Sequence, residues 1–394
     1  MSSFAKLGVS APVCRALAQR GFDSPFPIQS MVMRDALAGR DVLAKSRTGS
    51  GKTLAFGIPI VERLARNAHR PSALVLVPTR ELAGQVTEEL HSVATIRGLR
   101  VAPVYGGVSL GPQAKQAQKA HIIVATPGRM QDLLERRLIS LARVSILVLD
   151  EADRMLDMGF QPQVDRIVKH LNNQRQTMMF SATLDGAVGR LARAYTNNPA
   201  RHEVAERRLV IEEATHRFVP VDDQIRVERL VELLNEERDL ALVFVRTKRG
   251  ADRLRKRLAA SKVNAGAMHG NMSQGARRKA LERFADGRVN VLVATDVAAR
   301  GLDLDGITHV INFDPPADRK DYVHRVGRTA RAGRSGTGVT LVAPHQLLDV
   351  GNIARELHLH NEFQAEGLMM SKPQRVFSSH RGRSGGGRAR RRRS

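Results

Sequence analysis

An α/β fold with two mainly parallel sheets, each covered by helices on both faces, is what this chain of 394 residues predicts. Three observations carry that expectation. Strand-like runs alternate with helix-like segments through the first half, and the same rhythm restarts in the second half. One apolar run, Val144 to Leu149, ends abruptly in two adjacent carboxylates, Asp150 and Glu151. A glycine-rich segment, Ser46 to Thr53, stands between a short strand and a helix. In open α/β sheets ligands bind beyond the C-terminal strand ends, where both features fall.

The elements follow in order. Asp41-Val42-Leu43-Ala44 reads as the first strand, and Leu54 to Ala65 as the helix after the glycine-rich turn. Short apolar runs predict strands at Ala73–Val77, Val101–Tyr105, His121–Ala125, Ile146–Leu149 and Met178–Phe180. Helical period is expected over Glu81–Val93, Pro112–Lys119 and Arg129–Arg136. Thr196-Asn197-Asn198-Pro199 reads as a break, with charged, weakly periodic sequence running on to about Ala214. A second series of strands follows at His216–Val221, Ala241–Val245, Asn264–Met268, Val289–Ala294, His309–Phe313 and Gly338–Val342. Helices Gln224–Asn235, Gly250–Ser261 and Gln274–Asp286 fall between them. The division expected is two domains, 1–203 and 215–363, and a basic tail, 364–394. Ser371 to Ser394 holds nine Lys or Arg and no acid, a composition that cannot bury a core and is expected to be disordered.

Composition narrows the function classes. A formal charge of +24 points to a polyanionic partner, most simply nucleic acid. No run of eighteen apolar residues exists, so no membrane span is expected. The single cysteine, Cys14, excludes an internal disulfide and a cysteine zinc cluster. These features, with an N-terminus lacking a charged-then-apolar layout, fit a cytoplasmic protein.

Ser46-Arg47-Thr48-Gly49-Ser50-Gly51-Lys52-Thr53 has the chemistry of a phosphate-binding loop. Its glycines let backbone N–H groups approach phosphate, Lys52 reaches the β and γ oxygens, and Thr53 ligates Mg²⁺. Ser46 stands where the strict pattern has glycine, and its hydroxyl could add a local bond or do nothing. Asp150 is expected to hold Mg²⁺, through water, and Glu151 to polarise the attacking water. Gln29 can make paired hydrogen bonds to the N6 and N7 edge of adenine, with Phe22 stacking on the ring, which selects ATP. Phosphoryl transfer depends on positioning and charge stabilisation, so an arginine supplied across a cleft is also expected.

Together these residues make the chain resemble the DEAD-box ATP-dependent RNA helicases, over roughly residues 4 to 345. Asp150-Glu151-Ala152-Asp153 is one motif among about a dozen in family order. Phe4, Gly21-Phe22 and Pro25-Phe26-Pro27-Ile28-Gln29 resemble the adenine-sensing segment. Pro78-Thr79-Arg80-Glu81-Leu82, Gly106-Gly107 and Thr126-Pro127-Gly128-Arg129 resemble RNA-contacting loops, and Ser181-Ala182-Thr183 the coupling motif. Val243-Phe244-Val245, His269-Gly270, Gln274 to Arg277, Ala294 to Asp303, and His324 to Arg331 complete the series.

The resemblance implies two tandem RecA-like domains sharing one ATP site, with Thr48, Gly49, Ser50 and Gly51 in the nucleotide loop. It makes Arg328 and Arg331 the arginines that reach the γ-phosphate, and their spacing would let them meet on one face of a helix. Asp303 is implied to bind the ribose, and His324 to link the last motif to Ser181 and Thr183. RNA, single strand or duplex, is implied to lie along Pro78, Thr79, Arg80, Gly107, Thr126, Gly128 and Arg129 on one side. Gly270, Gln274, Thr295 and Arg300 would hold it on the other, mainly through its backbone. The activity implied is ATP hydrolysis coupled to local strand separation by a monomer. An ATP-gated RNA clamp needs every one of the same motifs. A DNA helicase or translocase is less consistent with the DEAD, S-A-T and P-T-R-E-L runs. Ala330 replaces a glycine frequent in the last motif, so the turn there is expected to need no positive φ. For the tail, a nonspecific RNA grip is set against a solubilising segment.

Overall fold

The computed structural model describes residues 3–46, 50–204, 214–236, 238–299, 306–330 and 335–369. Thr48, Gly49, Arg300, Asp303, Arg331 and the tail beyond 369 therefore lie outside the described residues, as does the side chain of Gln274.

The first sheet is built from β1 (Val42–Lys45), β2 (Ala73–Leu76), β3 (Val101–Val104), β4 (Ile122–Ala125), β5 (Ile146–Leu149), β6 (Gln176–Ser181) and β7 (Ala200–Glu203). Their order is β3-β4-β2-β5-β6-β1-β7, and every pair is parallel. The second sheet holds β8 (Ala214–Pro220), β9 (Leu240–Phe244), β10 (Ala265–Met268), β11 (Val291–Ala294), β12 (Ile307–Asn312) and β13 (Gly336–Val342). It is ordered β10-β11-β9-β12-β13-β8, again all parallel.

Side-chain alternation explains why these strands read as unbroken apolar runs. Val42, Ala44, Val75, Val124, Ile146, Val148 and Phe180 enter one buried cluster, while Leu43, Leu74, Leu76, Ile123, Leu147, Leu149 and Met179 enter another. One cluster lies on each face of the first sheet, as the two-residue period requires. The second sheet divides the same way, with Val243, Val293 and Ile311 on one face and Leu242, Leu292 and Val310 on the other. Each fully buried Val, Leu or Ile contributes about 1.5–3 kcal/mol. Helices cover both faces because a sheet greasy on two sides must be covered on both.

Three expectations need correction. The charged, weakly periodic stretch after Pro199 contains a strand, at the end of the first domain's expected bounds: β7 pairs with β1 at the sheet edge. Its sequence Ala-Arg-His-Glu escaped notice because only Ala200 is buried, and Lys45–Glu203 and His202–Asp35 pairs hold the rest. Second, helix Arg319–Val326 ends before Arg328, so Arg328 does not stand on that helix, and Arg331 lies outside the described residues. Third, Ala330 has φ 51°, so the turn does require left-handed backbone, and an alanine supplies it.

Candidate functional site

β1 leads directly into the glycine-rich loop. Ser46 N–H donates to Ser181 O at 2.9 Å, tying the loop base to the end of β6. The Ser46 hydroxyl does make a local bond, to Ser50 Oγ at 2.6 Å. Gly51 caps helix Lys52–Arg63 with φ 81°, a conformation open to glycine at little cost. A Cβ there would also fall 2.6 Å from Gln29 Nε2 and 2.8 Å from the Phe26 ring. Lys52 starts the helix, buried, with Nζ 3.3 Å from Ser46 O and 3.8 Å from Asp150 Oδ1. The unpaired N–H groups of this helix end favour an anion.

β5 delivers the carboxylates. Asp150 is buried, and burial, opposed by Lys52, pushes its carboxyl up to about 6. A cation is the partner this geometry favours, since it stabilises the ionised form that burial disfavours. Glu151 takes left-handed backbone, φ 52°, and its N–H donates to Asp150 Oδ1 at 2.9 Å. Asp153 N–H and Thr183 N–H both lie 3.3 Å from Ser181 Oγ, so one hydroxyl joins the acidic turn to the end of β6.

Gln29 is anchored at the base of the phosphate loop by bonds that leave one lone pair on Oε1 and one N–H on Nε2 for the adenine edge expected of it. Its Oε1 accepts from Phe26 N–H and its Nε2 donates to Gly51 O, both at 2.9 Å. At 1% exposure it joins the start of helix Pro27–Leu37 to the phosphate loop, each end of its amide making one of these bonds. Phe22 is half-buried against the first core cluster, with the Arg20 guanidinium 5.1 Å from its ring centre. Phe4 is a core residue.

The loops read as RNA-contacting lie along the C-terminal side of the first sheet. Arg80 lies over bare glycine backbone: a Cβ on Gly107 would stand 2.3 Å from Arg80 Nη1. Pro78 and Thr126 are buried, Gly128 is exposed, and Thr79 Oγ1 caps helix Arg80–Ala94 through Leu82 N–H. Arg129 is occupied internally, donating to Val108 O at 3.1 and 3.2 Å and to Gln113 Oε1 at 2.9 Å. It braces the glycine loop. Across the cleft, Gly270 is exposed beside Lys248, and Thr295 is buried at the start of helix Asp296–Ala299.

Contacts that sequence reasoning missed join the halves. Arg277 pairs with Glu81 at 2.9 Å, both side chains buried. Lys320 reaches Asp157 at 2.9 Å and Asp153 at 3.9 Å. Within the second half, Arg325 forks onto both oxygens of Asp296 at 2.6 and 2.7 Å and donates to Asn312 Oδ1 and Asp314 O. This buried hub fixes helix Arg319–Val326, which carries His324 and leads to the buried Arg328. Arg325 stands inside one of the motifs, but its partners come from two separate strand ends, after β11 and at the end of β12.

Comparison with known proteins agrees with this layout. The DEAD/DEAH box helicase family matches residues 26–191, and the helicase conserved C-terminal domain matches 225–333. A DEAD-box ATP-dependent RNA helicase CshA of Geobacillus kaustophilus is 41% identical over 357 residues, covering 90% of this chain and 76% of the relative. The CshA of Bacillus subtilis is 40% identical, covering 87% of this chain and 70% of its own length. Among solved structures, S. cerevisiae Dbp5 bound to RNA and ADP BeF3 superposes with a TM-score of 0.82 at 28% identity, covering 94% of each chain. A DEAD box protein from Methanococcus jannaschii is 35% identical but gives 0.53, covering 91% of this chain and 97% of the other. With both halves matched in order and the carboxylate strand facing the phosphate loop, the chain belongs to the DEAD-box ATP-dependent RNA helicase family.

Proposed function

We propose that the protein is an RNA-stimulated ATPase that closes on RNA with ATP and locally separates short duplexes. The observation that carries this reading is the arrangement of the halves. Lys320 on helix Arg319–Val326 bridges to Asp153, three residues after Asp150, and to Asp157, at the end of the helix that follows the carboxylates. The helix leading to Arg328 thus docks beside the nucleotide carboxylates. The overall likeness to Dbp5 with RNA and ADP BeF3 supports the same closed disposition.

In this reading Lys52 neutralises β- and γ-phosphate oxygens, and Ser50 and Gly51 present backbone N–H groups. Thr48, Gly49 and Asp303 would complete the nucleotide contacts. Thr53 and Asp150 would hold Mg²⁺, which neutralises phosphate charge when bound. Glu151 orients water by accepting its hydrogen bond. Arg328 and Arg331 stabilise the charge of the transferring group. Ser181 and Thr183 pass closure from the acidic turn to His324 and the second half. RNA lies over Pro78, Thr79, Arg80, Gly107, Thr126, Gly128 and Arg129, and over Gly270, Gln274, Thr295 and Arg300. Backbone contact at glycines positions the strand without reading bases. 2′-Hydroxyl contacts would favour RNA over DNA.

The test is ATPase activity with single-stranded RNA and DNA, alongside displacement of a short labelled RNA strand. RNA-selective stimulation and ATP-dependent displacement are expected. Glu151→Gln should bind ATP and RNA yet hydrolyse slowly. Parent-rate hydrolysis by that variant removes Glu151 from its role. Long RNA lifetimes with ATP but no displacement would favour the clamp.

A further inference from the structure

We propose that Arg154 is the positioning residue that fixes Glu151 for hydrolysis; this rests on reading Glu151 as the residue that orients the attacking water. Arg154 lies on helix Ala152–Asp157, immediately behind the carboxylates. It is 2% exposed and among the largest fully buried side chains. Its Nε stands 3.3 Å from Glu151 Oε2. Its Nη1 and Nη2 have no hydrogen-bond partner among the described residues. The pair to Glu151 is the one ion pair it makes there.

A buried guanidinium with most of its donors unsatisfied is a poor stability device. Desolvating it is unfavourable, and an apolar side chain of similar volume would fill the space more favourably. Local rules broken in this way mark functional sites more often than neutral ones. The left-handed backbone of Glu151 sets where the side chain leaves the turn but not how the carboxylate plane is turned. A buried cation 3.3 Å from Oε2, an ion pair without hydrogen-bond geometry, biases that orientation through charge. Orientation errors of a fraction of an ångström matter for a group that must aim a water at phosphorus. Arg154 therefore acts through Glu151, without touching the nucleotide.

The experiment is a double-mutant cycle read in the full-length protein with saturating RNA. Arg154→Gln, Arg154→Lys, Glu151→Gln and the Arg154→Gln/Glu151→Gln pair are compared for kcat and for the KM of ATP. Arg154→Gln should lower kcat at least about tenfold with KM changed less than about twofold. Arg154→Lys should recover part of the loss, since it restores the charge without the planar fork. In the Glu151→Gln background, Arg154→Gln should cost less than about twofold more. Losses that multiply across the two sites would overturn the proposal, because a structural role acts whether or not Glu151 is intact. Parent-level kcat in Arg154→Gln would also overturn it, leaving the Glu151 reading standing. Parent-level hydrolysis by Glu151→Gln alone would instead remove that underlying reading. If Arg154→Gln does not fold, Arg154→Lys carries the same cycle.

Discussion

Ala330 holds a backbone conformation that L-residues avoid, φ 51°, while its methyl is buried. Left-handed backbone costs a non-glycine residue about 1–2 kcal/mol. Burying one methyl contributes about 0.8 kcal/mol, and glycine loses a further ~0.5–1 kcal/mol of chain entropy on folding. These terms nearly cancel, so Ala330→Gly should change stability by less than about 1 kcal/mol. Ala330→Val adds β-branching to the strain with no offset and should lose at least about 2 kcal/mol in denaturant unfolding. Equal stability of the valine and parent proteins would show the turn is not left-handed in solution. Nearby, Arg328 is buried beyond the end of its helix. Arg328→Ala should lower RNA-saturated kcat by about a thousandfold, as for other arginines that reach transferring phosphate. A loss below about tenfold, with far-ultraviolet circular dichroism unchanged, would count against that role. Residues in a local run, such as Lys52 and the Asp150-Glu151 pair, were legible because their chemistry is written in consecutive letters. Glu81 with Arg277 was not, because that pair exists only once two distant segments have folded together.

Elements were legible in proportion to their burial. β5, apolar at every position, is placed to the residue by its sequence, whereas the polar edge strand β7 reads only as weakly periodic sequence. Sequence period finds what a core demands, and an edge strand demands little of its outer face. Helix Pro27–Leu37 departs from local preference in a way that can be tested. Its N-cap is Phe26, which offers no oxygen to the first N–H groups and is 47% exposed. Gln29 answers half the need by accepting from Phe26 N–H, but the reciprocal side-chain bond of a capping box cannot form. Phe26→Thr should therefore stabilise the first half by about 1 kcal/mol. Thermal unfolding of the two proteins side by side checks it. A lower midpoint for the threonine variant would mean that the ring's contact at Gly51 outweighs a cap.

At the scale of the whole molecule, few charge pairs among the described residues join the two halves. Lys320 is one-third exposed, and its partners Asp153 and Asp157 differ greatly in burial. An exposed pair of this kind adds little to stability, yet reversing its sign sets three carboxylates together where the halves meet. Lys320→Glu should raise the KM of ATP in the presence of RNA by at least about threefold, and more at low salt. Energy transfer between fluorophores on the two halves should report a smaller closed fraction. Adding Asp157→Lys should restore much of it, and an unchanged closed fraction in Lys320→Glu would show the pair is not a latch.

The charge of +24 belongs to the whole chain, but nine of its cations lie in the segment 371–394 with no acid among them. None of the nucleotide-site residues is there, so removing that segment should leave RNA-saturated ATPase activity nearly intact. RNA affinity should fall, because each phosphate neutralised on a single strand releases condensed counterion. The log–log dependence of affinity on salt steepens by about 0.7 per contact. Engaging about half of the segment's cations would contribute about 3 to that slope. A solubilising segment contributes nothing to either quantity. Titrating labelled single-stranded RNA against full-length and truncated protein at several salt concentrations separates the two. A shallower slope after truncation assigns the segment to RNA, and superimposable slopes would refute that assignment.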